Sequence, residues 1–322
     1  MSLAPSWRPT ANLDTMRARA DILNQIRRFF QERDVLEVDV PCMAATVAPE
    51  PNLEPLACAL NDGLSQQRRT YLLTSPETYL KRFVAAEKIA VYSMGHAFRN
   101  DERGALHNPE FTMLEWYRPL WSLQQLRQET ELLIRQMTGC PPAQHVRYQQ
   151  LFLNHAGVDP FSSSDAEIFG ACVACGHQPP SGLDRLGLLD FLMVMVIEPN
   201  MVNYSGLLSV DGFPAERAAM AEIDPGPPAV ACRFEFYLNG IELANGYQEL
   251  TDSSEQRSRL EQANHQRLKM GQVPLPLDEA FLSAMQSGFP RCAGVALGVD
   301  RLVMCALQQD HIQKVIPFAW CD

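Results

Sequence analysis

The sequence predicts an α/β (α+β) protein, and three residue patterns indicate this fold class. Apolar residues recur at helical spacing from Leu13 to Phe30. Two strand candidates, residues 91–99 and 111–117, are separated by a polar loop. Residues 233–250 form a hairpin candidate with an Asn-Gly turn at its centre. At 322 residues the chain suits one large domain or two small ones, and we expect a single domain over 1–322.

The first predicted helix begins after Asn12, whose side chain can cap it, and ends near Arg33. Residues 35–40 alternate between apolar and polar as a strand does, and Pro41 stops that strand. We expect a turn at residues 61–67.

A strand at 70–74 and a helix at 76–87 follow, with proline at the first helical position, where it is favoured. Residues 140–230 are rich in proline, glycine and serine and contain one apolar helix candidate, 186–197. We therefore predict an irregular insertion over about 140–230. The other predicted elements are helices at 123–137, 255–270, 277–287 and near 301–308, and a strand of small residues near 294.

Composition limits the functional class. With 46% apolar and 20% charged residues the chain resembles an ordinary globular protein, and its net charge of −11 argues against capture of nucleic acid by the whole surface. Nine scattered cysteines fit a reducing compartment, and Cys172 and Cys175 lack the second pair that a structural zinc site needs. The N-terminus does not resemble a signal peptide, and the apolar run 191–197 is too short to span a bilayer. We expect a cytoplasmic protein without membrane attachment.

Two arginines lie in settings that favour phosphate binding. Arg99 precedes a loop that contains Asp101 and Glu102, and Arg301 follows a segment of small and apolar residues that begins at Gly294. Arg301 needs an anionic partner because an unpaired buried charge is costly, and phosphate is the best candidate. Two fixed guanidiniums can hold different phosphates of one nucleotide. The small residues permit either close approach of a ligand or tight helix–sheet packing.

One face of the strand at 111–117 combines aromatic and acidic side chains. Alternation along the strand places Phe111, Met113, Glu115 and Tyr117 together. Such a face can stack a base and hold a polar ligand, or it can pack on the core.

The hairpin presents two carboxylates on one face. Its turn pairs Tyr237 with Glu242 and Glu235 with Ala244, so that Glu235 and Glu242 lie diagonally across the ladder. Two carboxylates at this spacing can bind one cation, and with a nucleotide present the natural cation is Mg²⁺. A solvated acidic face is the alternative.

Three further residues of the hairpin, Asn245, Tyr247 and Glu249, are out of phase with Glu242. They join its face only if the chain bulges near residues 244–246, where Gly246 favours a bulge.

Ser75, Pro76 and Glu77 lie where a predicted strand ends and a helix begins. Glu77 is in the first helical turn, where the helix dipole favours a negative charge. Its role is therefore either helix stabilisation or ligand binding.

Four segments, in order and at suitable spacings, resemble the catalytic core of the class II aminoacyl-tRNA synthetases, and in particular the lysyl-tRNA synthetases. They are Ser-Pro-Glu-x-Tyr-Leu-Lys at 75–81, His-Asn-Pro-Glu-Phe-Thr-Met at 107–113, Gly-Ile-Glu-Leu-Ala-Asn-Gly-Tyr-x-Glu-Leu at 240–250 and Gly-Val-Asp-Arg at 298–301. The resemblance covers nearly the whole chain except 140–230. It implies an antiparallel sheet flanked by helices, and ATP and Mg²⁺ as cofactors. In one departure from that family, we expect no anticodon-binding domain, because the sequence starts at the N-terminal helix. The N-terminal helix, strand and proline resemble the motif that forms the dimer interface in that family, which implies a homodimer.

The resemblance also implies roles at an ATP site. Arg99 and Arg301 would be the catalytic residues, holding the α-phosphate and the γ-phosphate, and Phe111 would stack on adenine. Glu235 and Glu242 would hold Mg²⁺. The other ATP-binding candidates are Asn100, Asp101, Asn108, Leu243 and Gly298.

At the amino-acid site the resemblance implies that Glu249 and Tyr117 take the side-chain ammonium of lysine, and that Glu77 takes another amino group. The other substrate-binding candidates are Ser75, Pro76, Asn245, Tyr247 and Ala296.

Two substitutions depart from the lysyl-tRNA synthetases. Asp101 stands where that family has Glu, so that either Asp101 or Glu102 fills the acidic position. Ala296 stands where the family has Gly, and its methyl group would reshape the amino-acid pocket. Both departures fit a paralogous group of ligases that attach (R)-β-lysine to a lysine of elongation factor P, which the segments 114–119, 241–246 and 294–304 also resemble.

That resemblance implies activation of (R)-β-lysine, or lysine, as an aminoacyl-adenylate and transfer to elongation factor P, without stable tRNA binding. The alternatives are a free-standing synthetase that charges tRNA and a non-catalytic regulatory paralogue.

Overall fold

The computed structural model describes residues 7–61, 63 and 67–320. The turn predicted at 61–67 therefore lies largely outside the described residues. The helices are α1 (Leu13–Gln31), α2 (Glu77–Glu87), α3 (Leu123–Thr138), α4 (Tyr148–Ala156), α5 (Asp165–Ala174), α6 (Arg185–Leu192), α7 (Glu198–Met201), α8 (Ser253–Lys269), α9 (Glu279–Gln286) and α10 (Val299–Ala306). A π-helical turn, Met193–Ile197, joins α6 to α7.

The strands are β1 (Leu36–Glu37), β2 (Met43–Ala44), β3 (Ala57–Asn61), β4 (Gln67–Leu72), β5 (Val91–Phe98), β6 (Glu110–Pro119), β7 (Gln144–Arg147), β8 (Leu207–Asp211), β9 (Ile223–Asp224), β10 (Val230–Ala231), β11 (Arg233–Leu238), β12 (Ile241–Gln248) and β13 (Cys292–Gly298). Eight of them form one sheet in the order β1-β5-β6-β13-β12-β11-β8-β7. The outermost pairs are parallel and the central pairs are antiparallel. The predicted fold, a mainly antiparallel sheet flanked by helices, is confirmed.

The N-terminal helix forms as its local signals predict. The side chain of Asn12 accepts a hydrogen bond from the Thr15 amide at 2.8 Å, which satisfies one of the free N–H groups of the first turn. The strand predicted at 35–40 is too long, because only the two residues of β1 pair in the sheet. Val38 and Val40 instead pack against the cluster around α2 and α9. Pro76 precedes α2 as its N-cap and is not its first residue.

Helices cover both faces of the sheet. On one face α1, α3 and α10 bury a continuous core that includes Trp116, Phe234 and Phe236. On the other face α2 and α9 cover the β5–β6 end, while α4, α5 and α6 cover the β7–β8 end. Alternation along the central strands leaves their polar side chains facing the space between these two covers.

The prediction that residues 140–230 are irregular with a single helix is wrong. This segment contains α4 to α7 and adds β7 and β8 to the sheet. Its helices are short, but they bury Leu151, Phe152 and Ile168 against Val210 and Tyr237. Tertiary packing of this kind stabilises helices that are marginal alone. Among the described residues, none of the helices combines the length and apolarity needed to cross a membrane.

Candidate active site

Strand register brings the candidate residues into two adjacent rows across the sheet. The first row consists of Glu115, Ala296, Asn245 and Glu235, each paired with the next. The second row, two residues along each strand, consists of Tyr117, Gly294, Tyr247 and Arg233. Side chains two apart on a strand share a face, so both rows face the same side of the sheet.

A bulge in β12 makes this arrangement possible. Tyr237 pairs with Glu242 and Phe236 with Ala244, which leaves Leu243 as the extra residue. The bulge therefore lies at Leu243 and not at the predicted residues 244–246. It changes the phase of the strand, so that Glu242, Asn245, Tyr247 and Glu249 share one face. Gly246 has a different role, because a Cβ there would lie 2.4 Å from the ring of Phe234.

A cavity of about 370 Å³ lies beside the first row and contains both arginines. The Arg99 guanidinium lies 5.2 Å from the ring centroid of Phe111 and 3.5 Å from Glu102. Its Nε is buried without a hydrogen-bond partner. An unpaired buried donor costs about 1–3 kcal/mol. An anion such as a phosphate would satisfy this donor. The neighbouring ring of Phe111 could stack on the base of the same nucleotide.

Neutral groups hold Arg301 in the lining of the same cavity. Its guanidinium donates to the Glu242 and Leu106 carbonyl oxygens at 3.0 and 3.2 Å and meets the His107 Nε2 at 2.6 Å. Burial and the neighbouring guanidinium lower the pKa of His107, so His107 accepts as a neutral ring. The nearest oxygen of the Glu242 carboxylate is 3.7 Å away. Much of the positive charge of Arg301 therefore remains available to an anion.

The loop after Arg99 places Glu102, and not Asp101, at the cavity. Glu102 lines the cavity, whereas Asp101 is exposed with a left-handed backbone (φ 61°). Asn100 lies outside the lining; its backbone N–H donates to the Glu54 carbonyl oxygen at 2.9 Å, and its side-chain amide donates to Asp101 at 3.4 Å. The cavity lining includes three other ATP-binding candidates, Asn108, Leu243 and Gly298.

The two carboxylates proposed for Mg²⁺ differ in their surroundings. Glu242 lines the cavity and its side chain is 40% exposed. Glu235 is buried, forms an ion pair with Arg233 and accepts a hydrogen bond from Tyr237. Within the described ranges no group of three His, Cys, Asp or Glu residues is arranged to hold a metal. Mg²⁺ bound mainly through phosphate oxygens needs only one or two carboxylates, which Glu242 fits as it stands.

Beyond the cavity the sheet face ends in a closed acidic cluster. Glu77 begins α2 and Glu249 follows the end of β12. The Lys81 ammonium lies between them, 2.6 Å from Glu77 and 2.7 Å from Glu249. Lys81 was not among the predicted site residues, although its position four residues after Glu77 indicates an ion pair on a helix.

Burial shapes the chemistry of this cluster. It raises the pKa of Glu249 to about 7, although the charge of Lys81 opposes the shift. Burial and the nearby Glu77 also raise the pKa of Glu115, which accepts a hydrogen bond from Tyr117 at 2.5 Å.

Glycine is required where the cluster meets the sheet. A Cβ at Gly294 would lie 2.3 Å from both the Glu249 carboxylate and the Tyr117 ring. The small residues of β13 therefore serve packing of the candidate side chains at this position, and not backbone approach to a ligand.

The remaining substrate-binding candidates lie in the cavity lining or at the start of α2. Asn245 and Ala296 line the cavity, and Asn245 is fixed by hydrogen bonds to Arg233 and Tyr247, each at 3.0 Å. Ser75 accepts a hydrogen bond from the Glu77 amide at 3.3 Å, and Pro76 is the N-cap of α2.

An ion pair at the edge of the site escaped the sequence analysis. The Asp300 carboxylate, 3% exposed, accepts the Thr112 amide at 2.7 Å and meets Arg19 of α1 at 2.6 Å. Arg19 also donates to the Thr112 hydroxyl at 2.9 Å. These contacts tie α1 and α10 to β6, next to Arg301. No local pattern connects residues so distant in the chain.

Comparison with known proteins identifies the family. The model of class II tRNA synthetases (D, K and N) matches residues 6–321. The chain belongs to this family. It is 44% identical over 322 residues to a protein of Sodalis glossinidius (strain morsitans) named elongation factor P–(R)-β-lysine ligase, with 99% of each chain covered. Proteins of the same name from Histophilus somni (strain 2336) and Proteus mirabilis (strain HI4320) are 42% and 41% identical, with 99% of this chain and 98% of each relative covered.

The family match covers the segments that carry both arginines and the acidic cluster. The candidates for nucleotide binding lie in the loop between β5 and β6, on β6, β12 and α10, and at the end of β13. The candidates for amino-acid binding lie at the start of α2 and on or next to β6, β12 and β13. The relatives are named as ligases, and the chain is accordingly a ligase of the synthetase type.

Proposed function

We propose that this protein uses ATP to activate (R)-β-lysine and transfers it to a lysine side chain of elongation factor P. The main support is the pairing, on one sheet face, of a cavity that contains two guanidiniums with a buried carboxylate cluster. The cavity suits a nucleotide phosphate chain, and the cluster suits a cationic amino acid. The names of the relatives, elongation factor P–(R)-β-lysine ligases, support the choice of amino acid and acceptor.

In the first step, the carboxylate of the amino acid attacks the α-phosphorus of ATP, which gives an aminoacyl-adenylate and pyrophosphate. Arg99 would stabilise the charge on the α-phosphate and Arg301 that on the γ-phosphate, while Phe111 would stack on the base. None of the described residues is needed as a nucleophile, because positioning and charge stabilisation suffice. Mg²⁺, with Glu242 among its ligands, would neutralise phosphate charge.

In the second step, the neutral ε-amino group of the acceptor lysine attacks the carbonyl carbon of the mixed anhydride. An amide bond forms, AMP leaves, and the attacking nitrogen loses a proton. We place this reaction in the cytoplasm and assign the chain to a homodimer. Light scattering of the purified protein tests the dimer.

The deciding experiment is transfer of label from radioactive (R)-β-lysine, with ATP, to purified elongation factor P and bulk tRNA in parallel reactions. Alkali-stable label on the factor, lost when its acceptor lysine is replaced by arginine, is the expected result. Alkali-labile label on tRNA alone would favour a free-standing synthetase. Absence of amino-acid-dependent pyrophosphate exchange would favour a non-catalytic paralogue.

A further inference from the structure

An internal cation occupies the acidic end of the site. Lys81 bridges Glu77 and Glu249 at 2.6 and 2.7 Å, and its side chain is only 2% exposed. These are the carboxylates to which the proposed function assigns amino groups of the substrate. A lysine of the protein therefore contacts the same acidic groups as the incoming substrate.

We propose that Lys81 is a positioning residue for the amino-acid substrate. It fixes one oxygen of Glu77 and one of Glu249 and places one positive charge between these two carboxylates. This charge lowers the cost of ionising Glu249 and leaves the three groups with a net charge of minus one when both carboxylates are ionised. This inference rests on the proposed function and adds a residue that governs amino-acid binding at the same site.

The surroundings of Lys81 hold its ammonium in place. Lys81 lies one helical turn after Glu77 on α2, so the helix itself sets the first ion pair. The Met220 sulfur lies 3.5 Å from the ammonium, and the rings of Tyr117 and Phe281 lie about 6 Å from it. An ammonium enclosed by a sulfur and two rings cannot turn to solvent without unpacking α2 from α9 and β6.

The charges around the cluster make this cation necessary. Glu115 and Tyr117 face it from β6, and Glu222 acts on Glu249 from the far side. Burial raises the pKa of Glu115 well above its usual range, which disfavours the ionised form of that carboxyl. Without Lys81, the buried Glu249 would face the partly exposed Glu77 as a like charge, which favours uptake of a proton by Glu249. A protonated carboxyl no longer offers a charge to the substrate ammonium.

The test is Lys81→Met in the full-length chain, assayed by pyrophosphate exchange against (R)-β-lysine, ATP and pH. The KM for the amino acid should rise by about tenfold or more, while the KM for ATP stays within about twofold, because only the acidic end loses a partner. The pH at which amino-acid binding is half-lost should move upward. Added ethylammonium, which matches the lost end of the side chain, should restore part of the activity. Arg82→Met, the next residue on α2, is the matched control and should change none of these values.

A second variant pair guards against misfolding. The double variant Glu77→Gln, Lys81→Met removes one negative and one positive charge, so its net charge equals that of the wild type. It is compared with Glu77→Gln alone. The double variant should have the higher amino-acid KM, because Glu249 has lost its ammonium partner. Equal amino-acid KM values in the double variant and in Glu77→Gln would overturn the role of Lys81 but leave the proposed function intact. An unchanged KM and pH profile in a folded Lys81→Met protein would do the same. Absence of exchange in the wild type would instead overturn the proposed function, and this inference with it.

Discussion

The two ends of the site differ in how far the protein satisfies its own charges. At the phosphate end, the Arg99 and Arg301 side chains are 29% and 22% exposed, and their nearest carboxylates lie at 3.5 and 3.7 Å. At the acidic end, Lys81 and Glu249 are 2% and 1% exposed and form an ion pair at 2.7 Å. The phosphate end therefore keeps its positive charge available to a ligand, whereas the acidic end has arranged its charges before a ligand binds. Substitutions at the two ends should therefore impair different steps: those at the phosphate end should affect the use of ATP, and those at the acidic end the binding of the amino acid.

The largest effect should come from Glu249→Gln, which keeps the shape of the side chain and removes its charge. Loss of one partner from a buried ion pair costs about 3–5 kcal/mol, and the substrate ammonium should lose a similar amount of transition-state stabilisation. Steady-state exchange kinetics should show a fall in kcat/KM for the amino acid with an unchanged KM for ATP. Glu279→Gln, at an exposed pair with Arg257, is the control. A normal amino-acid kcat/KM with lost ATP binding would reverse the assignment of the two ends.

Arg99→Ala should remove about 3 kcal/mol of transition-state stabilisation and so slow amino-acid activation. This is the scale of losing one preorganised oxyanion donor. Because the Nε of Arg99 has no partner in the protein, thermal unfolding should show little loss of stability. Arg17→Ala, at an exposed ion pair on α1, provides the comparison. Near-normal exchange in Arg99→Ala would remove this residue from the site.

Ala296→Gly sharpens the comparison at the border between the two ends. Ala296 lines the cavity beside Asn245 and is paired with Glu115, so its methyl group is placed to shape the amino-acid pocket. Removing it should favour activation of α-lysine over (R)-β-lysine by about 1–3 kcal/mol of transition-state binding, as for one methyl group in a pocket. The ratio of kcat/KM values for the two substrates measures this. An unchanged ratio would place selectivity at other residues.

The smallest effect is a pH dependence confined to the acidic end. Burial raises the pKa of Glu249 to about 7, and only its ionised form attracts an ammonium. As pH falls below about 7, Glu249 takes up a proton and kcat/KM for the amino acid should fall about tenfold per pH unit. The KM for ATP should stay constant over this range. A flat amino-acid profile from pH 5 to pH 8 would contradict the assignment of Glu249.

Elements with local signals were predictable. Asn12 caps α1 because an N-cap acts within three residues, and Asn239-Gly240 forms the β11–β12 turn because both residues accept a positive φ. The alternation of β6 was likewise sufficient to place Phe111 and Glu115 on one face. Within 140–230 the helix predicted at 186–197 corresponds to α6 and the π-helical turn, but α4, α5 and α7 were missed. Their stability comes from packing against β8, β11 and neighbouring helices rather than from a long periodic pattern.

The candidate site was predicted in part. Arg99 and Arg301 were recognised from their motifs, and the need for a bulge followed from the phase of Glu242 relative to Glu249. The position of that bulge at Leu243 was not predictable, because it depends on which residues of two strands pair. Arg233 was overlooked as well. In the sequence, Arg233 and Glu235 are simply two charged residues two positions apart on a strand, and nothing in that local pattern distinguishes a buried ion pair from an exposed one.

By itself, the sequence determined the fold class, the order of the main elements and the chemical types present at the site, because periodicity, caps, turns and short motifs are local properties of a chain. Tertiary structure alone decided which charges meet. Lys81 lies between Glu77 and Glu249, Arg19 reaches Asp300, and Glu102 rather than Asp101 lies beside Arg99. Burial then sets the protonation of Glu249 and Glu115. These outcomes depend on distances of a few ångströms between segments far apart in the chain, and electrostatic interactions in a low-dielectric interior change steeply over such distances.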